Sequence, residues 1–224
     1  MLRRAMVIAP HPDDETLGCG GTILKHKASG DAVHWLIVTA VREDEGFAPE
    51  AVKARQKEIR AVSQKYGFDS VTELGYPTAK LDVVSMKLLV EQISATLQKI
   101  KPEVIYIPYR GDVHTDHSTV FDVVTACTKW FRYPFIKKVL AYETLSETDF
   151  ALNSDIAGFR PNVFVDIEAY IEKKIEIMNI YASEMADFPF PRSVEAIKAL
   201  AQVRGAASGF KAAEAFMLLK ERCD

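Results

Sequence analysis

Along most of this chain, short apolar runs rich in β-branched residues alternate with longer amphipathic stretches, and no other feature limits its fold so tightly. Residues 5–9 (AMVIA), 33–39 (VHWLIVT), 71–74, 104–107 (VIYI) and 138–142 read as strands. Residues 16–28, 49–66, 83–100 and 117–130 read as helices, with Gly30 and Gly67 standing just past two of their ends. Parallel strands need a crossover of a dozen or more residues between them, usually a helix. The pattern therefore predicts a Rossmann-like α/β fold, with a mostly parallel sheet, helices on both faces and an active site at the carboxyl ends of the strands. Beyond residue 145 the alternation loosens. Residues 162–166 read as a further strand, 167–185 and 194–203 as helices, and 212–219 fits either state. With no repeat, low-complexity tract or linker, residues 1–224 are expected to form a single domain.

Composition narrows the class of protein. Apolar residues make up 48% and charged residues 26% of the chain, an ordinary globular balance. The net charge is −3 and no basic stripe is present, so no nucleic acid is expected as partner. Nowhere do 18 apolar residues run together, and the apolar stretch at residues 5–10 is too short for a secretory signal, so no membrane span is expected. Cys19, Cys127 and Cys223 are far apart with no paired spacing, which suits the reducing cytoplasm.

Two short motifs carry the chemistry. His11-Pro12-Asp13-Asp14-Glu15 follows the first strand, placing one imidazole and three carboxylates in five residues. One Asp could cap the following helix, but a cap needs no histidine and no second acid. The second motif, His114-Thr115-Asp116-His117, follows the fourth strand and opens another helix. A doubly wound sheet can bring two such loops together at its switch point. Two imidazoles with carboxylates suit Zn²⁺ held by three protein ligands and open at a fourth position, and Fe²⁺ suits the same donors.

The two motifs, about 100 residues apart, resemble those of the PIG-L/LmbE-like zinc deacetylases, which remove N-acetyl groups from glucosamine-containing sugars and conjugates. The likeness extends to Gly18-Cys19-Gly20-Gly21, to Arg55-Gln56-Lys57-Glu58, and to the stretch from Arg204-Gly205 to Ala213-Glu214-Ala215-Phe216. It implies an N-deacetylase with His11, Asp14 and His117 as metal ligands and Asp13 as general base. It implies that a protonated His114 stabilises the oxyanion or protonates the leaving amine, that Asp116 orients an imidazole, and that Arg55 contacts the sugar. It also implies a small amino-sugar substrate or glycoconjugate and a homo-oligomeric assembly. One departure is Glu184 in Tyr181-Ala182-Ser183-Glu184, where the family pattern has Gln.

Other readings fit the residues less well. Gly18 and Gly20 would need a glycine at 23 for dinucleotide binding, and Ile23 stands there. Those glycines are expected instead to let a helix approach the sheet. Cys19 lacks a partnering histidine and is expected to be buried rather than nucleophilic. A metal-dependent phosphoesterase would call for two metals and more carboxylates, and a non-catalytic sugar-binding module would have no use for Asp13. His26 and His34 read as packing or surface residues, and Trp35 and Trp130 as core or edge aromatics. Tyr142 and Glu143, ending the fifth strand, are expected to contact substrate, with the loops at 44–47 and 187–192 as rims of the site.

Overall fold

The computed structural model describes residues 2–152 and 158–223. Five parallel strands form most of its sheet: β1 (Arg4–Ala9), β2 (Ala32–Ala40), β3 (Ser70–Pro77), β4 (Val104–Pro108) and β5 (Lys138–Tyr142). Two more, β6 (Val163–Asp166) and β7 (Ala213–Glu221), extend it in the order β3-β2-β1-β4-β5-β7-β6. The mostly parallel α/β fold expected from the alternation is the one present, in a single domain. The stretch at 212–219 is the one antiparallel strand, paired with both β5 and β6.

Helices α1 (Asp14–Ala28), α2 (Pro49–Tyr66), α3 (Met86–Ile100), α4 (Thr115–Ala126), α5 (Ile171–Met178) and α6 (Val194–Ala206) cover both faces. Alternate strand residues supply two separate cores, as the period-2 direction of side chains requires. Val7, Trp35, Tyr106 and Phe216 pack with α1, α2, α5 and α6. Met6, Ile8, Leu36 and Ile105 face the other way, against α3 and α4. Trp35 is wholly buried, but Trp130 is exposed, because the helix expected to reach residue 130 ends at Ala126. The helix expected over 167–185 is instead α5 followed by a short 3₁₀ turn, Ala182–Glu184.

Strand order reverses between β1 and β4, the switch point of the sheet. The loops leaving those two strands carry the two histidine motifs, so the topology itself brings them side by side.

Helix α1, which begins inside the first motif, lies very close to its neighbours. A Cβ on Gly18 would stand 2.3 Å from a ring carbon of Tyr142, and one on Gly21 2.5 Å from Ile167 Cγ2. The expectation of close packing is met. Gly18→Ala is expected to destabilise the fold by about 1–3 kcal/mol, the usual cost of overpacking; a urea midpoint equal to wild type would contradict it.

A buried ion pair also grips this helix. Glu214 of β7 accepts from the Gly21 and Thr22 amides at 2.8 and 2.7 Å, while Lys174 Nζ donates to Leu17 O at 2.8 Å and to Glu214 at 2.7 Å. Every charge in the pair is hydrogen-bonded, the condition under which burial of ions is tolerated. The Ala213–Phe216 stretch thus fixes the helix on which the first motif is built.

Candidate metal centre

The β1–α1 turn is strained where the chemistry is concentrated. Asp13 has φ 134° and ψ −32°, a backbone region that side-chain-bearing residues rarely adopt. Its side chain makes no capping hydrogen bond. Its carbonyl accepts instead from Thr16 and Leu17, and its amide donates to Glu15 Oε2 at 3.0 Å. Glu15 is fully buried, takes hydrogen bonds from Thr16 Oγ1 and Tyr181 Oη, and is pushed up to about 7 by burial, which those bonds and the Asp13 amide only partly offset. Glu15 therefore braces the turn, and Asp13 and Asp14 are left free for other work.

His11 Nδ1 and His117 Nε2 each lie 3.3 Å from Asp14 Oδ2, and the donor atoms of these three side chains lie within 4.8 Å of one another. His117 Nδ1 pairs with Asp112 Oδ2 at 2.8 Å, while His117 Nε2 is buried without a hydrogen-bond partner. A buried ring nitrogen left without a hydrogen bond is costly unless something binds it. His11 Nε2 pairs with Asp116 Oδ2 at 3.0 Å, which leaves Nδ1 facing Asp14. Each imidazole thus has a carboxylate behind it and its other ring nitrogen toward a common point, the pattern of metal-ligating histidines. His11, Asp14 and His117 fit a divalent ion with a fourth position open.

Electrostatics follow the same geometry. Burial opposes charge on both imidazoles, but Asp116 and Asp14 raise His11 to about 9, and Asp14 with Asp112 raise His117 well above the usual histidine range. Burial likewise opposes charge on Asp14, yet the two imidazoles hold it well below the ordinary carboxylate range. Burial and the neighbouring Asp14 push Asp13 up, against the pull of Arg192.

His114 is the N-cap of α4, and its Nδ1 accepts from the Asp116 amide at 3.1 Å. That bond sets the tautomer and leaves Nε2–H as a donor. Burial and the adjacent His11 lower its pKa to about 4. The expectation of a protonated His114 is therefore corrected: with His11 beside it, a second cation is disfavoured, and the ring is neutral. Asp116 is fully buried, holds His11 rather than the ring of His114, and accepts from the Ala79 and Leu81 amides at 2.7 and 3.0 Å. It acts through His11, whose ring it positions.

An open pocket of about 200 Å³ lies over these groups, far more than the ~15 Å³ one water needs. His11, Asp13, Asp14, His114 and Arg55 line it, and His117 is buried beside Asp14. Two expected contacts lie elsewhere. Tyr142 is wholly buried, its hydroxyl donating to Ile8 O at 3.0 Å, and Glu143 is buried and gripped by Arg204. Both are corrected to packing roles. The Tyr142 side chain points from the strand into the core under α1 rather than off the sheet edge.

Three charged pocket residues went unassigned in the sequence. Arg192 donates to Asp13 Oδ2 and Glu184 Oε2, both at 2.9 Å, and reaches Glu147 at 3.4 Å. The rim loop 187–192 hinted at Arg192, and Glu184 stood out as a departure from a pattern. Glu147 carried no local signal, and of the other rim, 44–47, nothing lines the pocket.

Residues 6–128, more than half of the chain, match the family described as PIG-L, GlcNAc-PI de-N-acetylase. A Bacillus anthracis protein described as a probable N-acetyl-alpha-D-glucosaminyl L-malate deacetylase 2 is 24% identical over 192 residues, 82% of each chain. A diacetylchitobiose deacetylase of Thermococcus kodakarensis is 22% identical over 95% of this chain and 82% of its own. Among solved structures, the conserved protein TT1542 of Thermus thermophilus superposes with a TM-score of 0.78 at 27% identity, covering 100% of this chain and 97% of its own. The motifs that flank the switch point fall inside the matched region, and the chain belongs to the PIG-L family.

Proposed function

We propose that the protein is a metal-dependent amide hydrolase that removes the N-acetyl group of an N-acetylglucosamine-type sugar or conjugate and releases acetate. The observation that carries this reading is the convergence of His11, Asp14 and His117, with one ring nitrogen orphaned, beside the buried carboxylate of Asp13. The deacetylase descriptions of the Bacillus and Thermococcus relatives support it.

His11, Asp14 and His117 would hold zinc, with ferrous iron fitting the same donors. Such an ion, when bound, lowers the pKa of water and polarises a carbonyl. Asp13 accepts the proton of the attacking water; Arg192 occupies its Oδ2, so Oδ1 is the oxygen available. A raised pKa suits a carboxylate that must both take this proton and return it to the departing amine. Neutral His114 donates its Nε2–H to the acetyl oxygen as that oxygen gains negative charge. Arg55, held by Pro12 O at 3.2 Å and by Glu184, contacts the sugar.

Acetate release from N-acetylglucosamine glycosides by the zinc-loaded protein tests the proposal, with phosphate mono- and diesters run alongside. Cleavage of the phosphate esters without acetate release would overturn it.

Metal binding has its own pH signature. Because His11 is raised to about 9, an ion must displace its proton at neutral pH. His117, also raised, holds a second proton that the ion must displace, so zinc affinity is expected to fall by more than tenfold for each pH unit while both protons are held. Chelator competition at several pH values reads this slope, and a flat response would remove both histidines from the ligand set. Asp112→Asn is expected to weaken zinc binding about 10–100-fold through loss of the His117 partner.

No helix among the described residues is long and apolar enough to cross a membrane. We place the protein in the cytoplasm, where free Cys19, Cys127 and Cys223 remain reduced. The homo-oligomer that the family likeness implies is checked by sedimentation.

A further inference from the structure

The charge around the pocket is already spoken for. Arg55 and Arg192 are its two guanidiniums, and Glu184, on the short turn after α5, bridges them: Oε1 pairs with Arg55 and Oε2 with Arg192 at 2.9 Å. Arg192 also pairs with Asp13, its Nε donates to Ser146 Oγ at 2.8 Å, and its Nη2 faces Glu147 at 3.4 Å. Arg55 meets a second acid, Glu58, at 3.4 Å. Within the pocket, the carboxylates of Asp13, Asp14, Glu147 and Glu184 outnumber the two guanidiniums. A divalent ion on the three ligands would bring the formal balance only to zero; without Glu184 it would be +1.

Resting on the deacetylase reading, we propose that Glu184 is a specificity-determining residue that makes this pocket select uncharged or cationic N-acetyl amino sugars and reject those bearing a carboxylate or phosphate near the reacting amide. An anionic aglycone would have to break the Glu184 bridge to reach either guanidinium, and would then stand beside the displaced carboxylate. Rejection built from an unmatched like charge is a common route to specificity. A neutral sugar hydroxyl can accept from Arg55 or donate to Glu184 with the bridge intact. A unit charge about 8 Å from a ligand carboxylate, at an effective dielectric of about 30, changes affinity by about tenfold.

Three N-acetylglucosamine glycosides test this: methyl (neutral), 2-aminoethyl (cationic) and carboxymethyl (anionic). Wild type is expected to release acetate from the methyl and aminoethyl compounds with at least about tenfold higher kcat/KM than from the carboxymethyl compound, the difference lying mainly in KM. Glu184→Gln is expected to raise the carboxymethyl-to-methyl ratio about tenfold, with a larger shift at low salt. Glu184→Asp, which keeps the charge, is expected to keep the wild-type order. Calorimetric binding of the corresponding deacetylated glycosides should show the same ordering. Equal or better turnover of the carboxymethyl compound by wild type, or the same relaxation in Glu184→Asp as in Glu184→Gln, would overturn the inference. Absence of acetate from all three glycosides would instead defeat the deacetylase reading, and this inference with it.

Discussion

Asp13→Asn is expected to bind zinc as wild type does and to lose about 10²–10⁴-fold in kcat, the contribution typical of a positioned general base. The separation of the two effects follows from where the side chain lies. Asp13 is outside the cluster of donor atoms formed by His11, Asp14 and His117, and its carboxylate pairs with Arg192. Asparagine keeps the volume and an acceptor oxygen for that guanidinium, but cannot take up a proton. The strained backbone at φ 134° is braced by Glu15 through the main-chain amide, and that bond survives the change. Metal content by elemental analysis and single-turnover acetate release check the two halves separately. Near-native turnover in a zinc-replete variant would remove Asp13 from the chemistry.

His117→Ala is expected to fail at the preceding stage, losing stoichiometric zinc and falling to background activity. The ring is wholly buried between Asp14 and Asp112, so its removal deletes one ligand and takes a partner from each of two carboxylates. Asp112 retains Thr148 Oγ1 at 2.6 Å, whereas Asp14 keeps the His11 amide and ring. An unsatisfied buried partner costs about 1–3 kcal/mol, so the variant's unfolding midpoint should also drop. Full zinc occupancy in His117→Ala would exclude this residue as a ligand. Taken with Asp13→Asn, the pair separates the group that moves a proton from the group that holds the ion.

Much of this site could be read along the chain because its chemistry is local. His11, Asp13 and Asp14 fall within one turn, and His114 and His117 within another, each directly after a strand whose apolar pattern announces it. The two corrected contacts show where local reading stops. Tyr142 and Glu143 end a strand on the expected edge, but side chains on successive strand residues leave opposite faces. One enters the core beneath α1, and the other turns to Arg204, 61 residues further along. Neither partner is visible from the strand itself. His114 makes the same point for charge. Its sequence context invites a cation, while burial, and then the packing of His11 against it with ring centroids 4.4 Å apart, lowers its pKa to about 4.

By itself, the sequence determined the strand–helix alternation, the parallel sheet and the two motif loops, because periodicity, turn residues and donor clusters are properties of neighbouring residues. Tertiary structure alone decided which nitrogen of each histidine faces Asp14, since that depends on Asp116 reaching His11 from 105 residues away and on Asp112 backing His117. It also decided the charge of the pocket. Arg192, Glu184 and Glu147 come from segments with no shared pattern, the loop before α6, the turn after α5 and the turn after β5, and they meet only in the folded chain. Coulombic balance is a sum over space, and the chain's order in sequence carries no record of that sum.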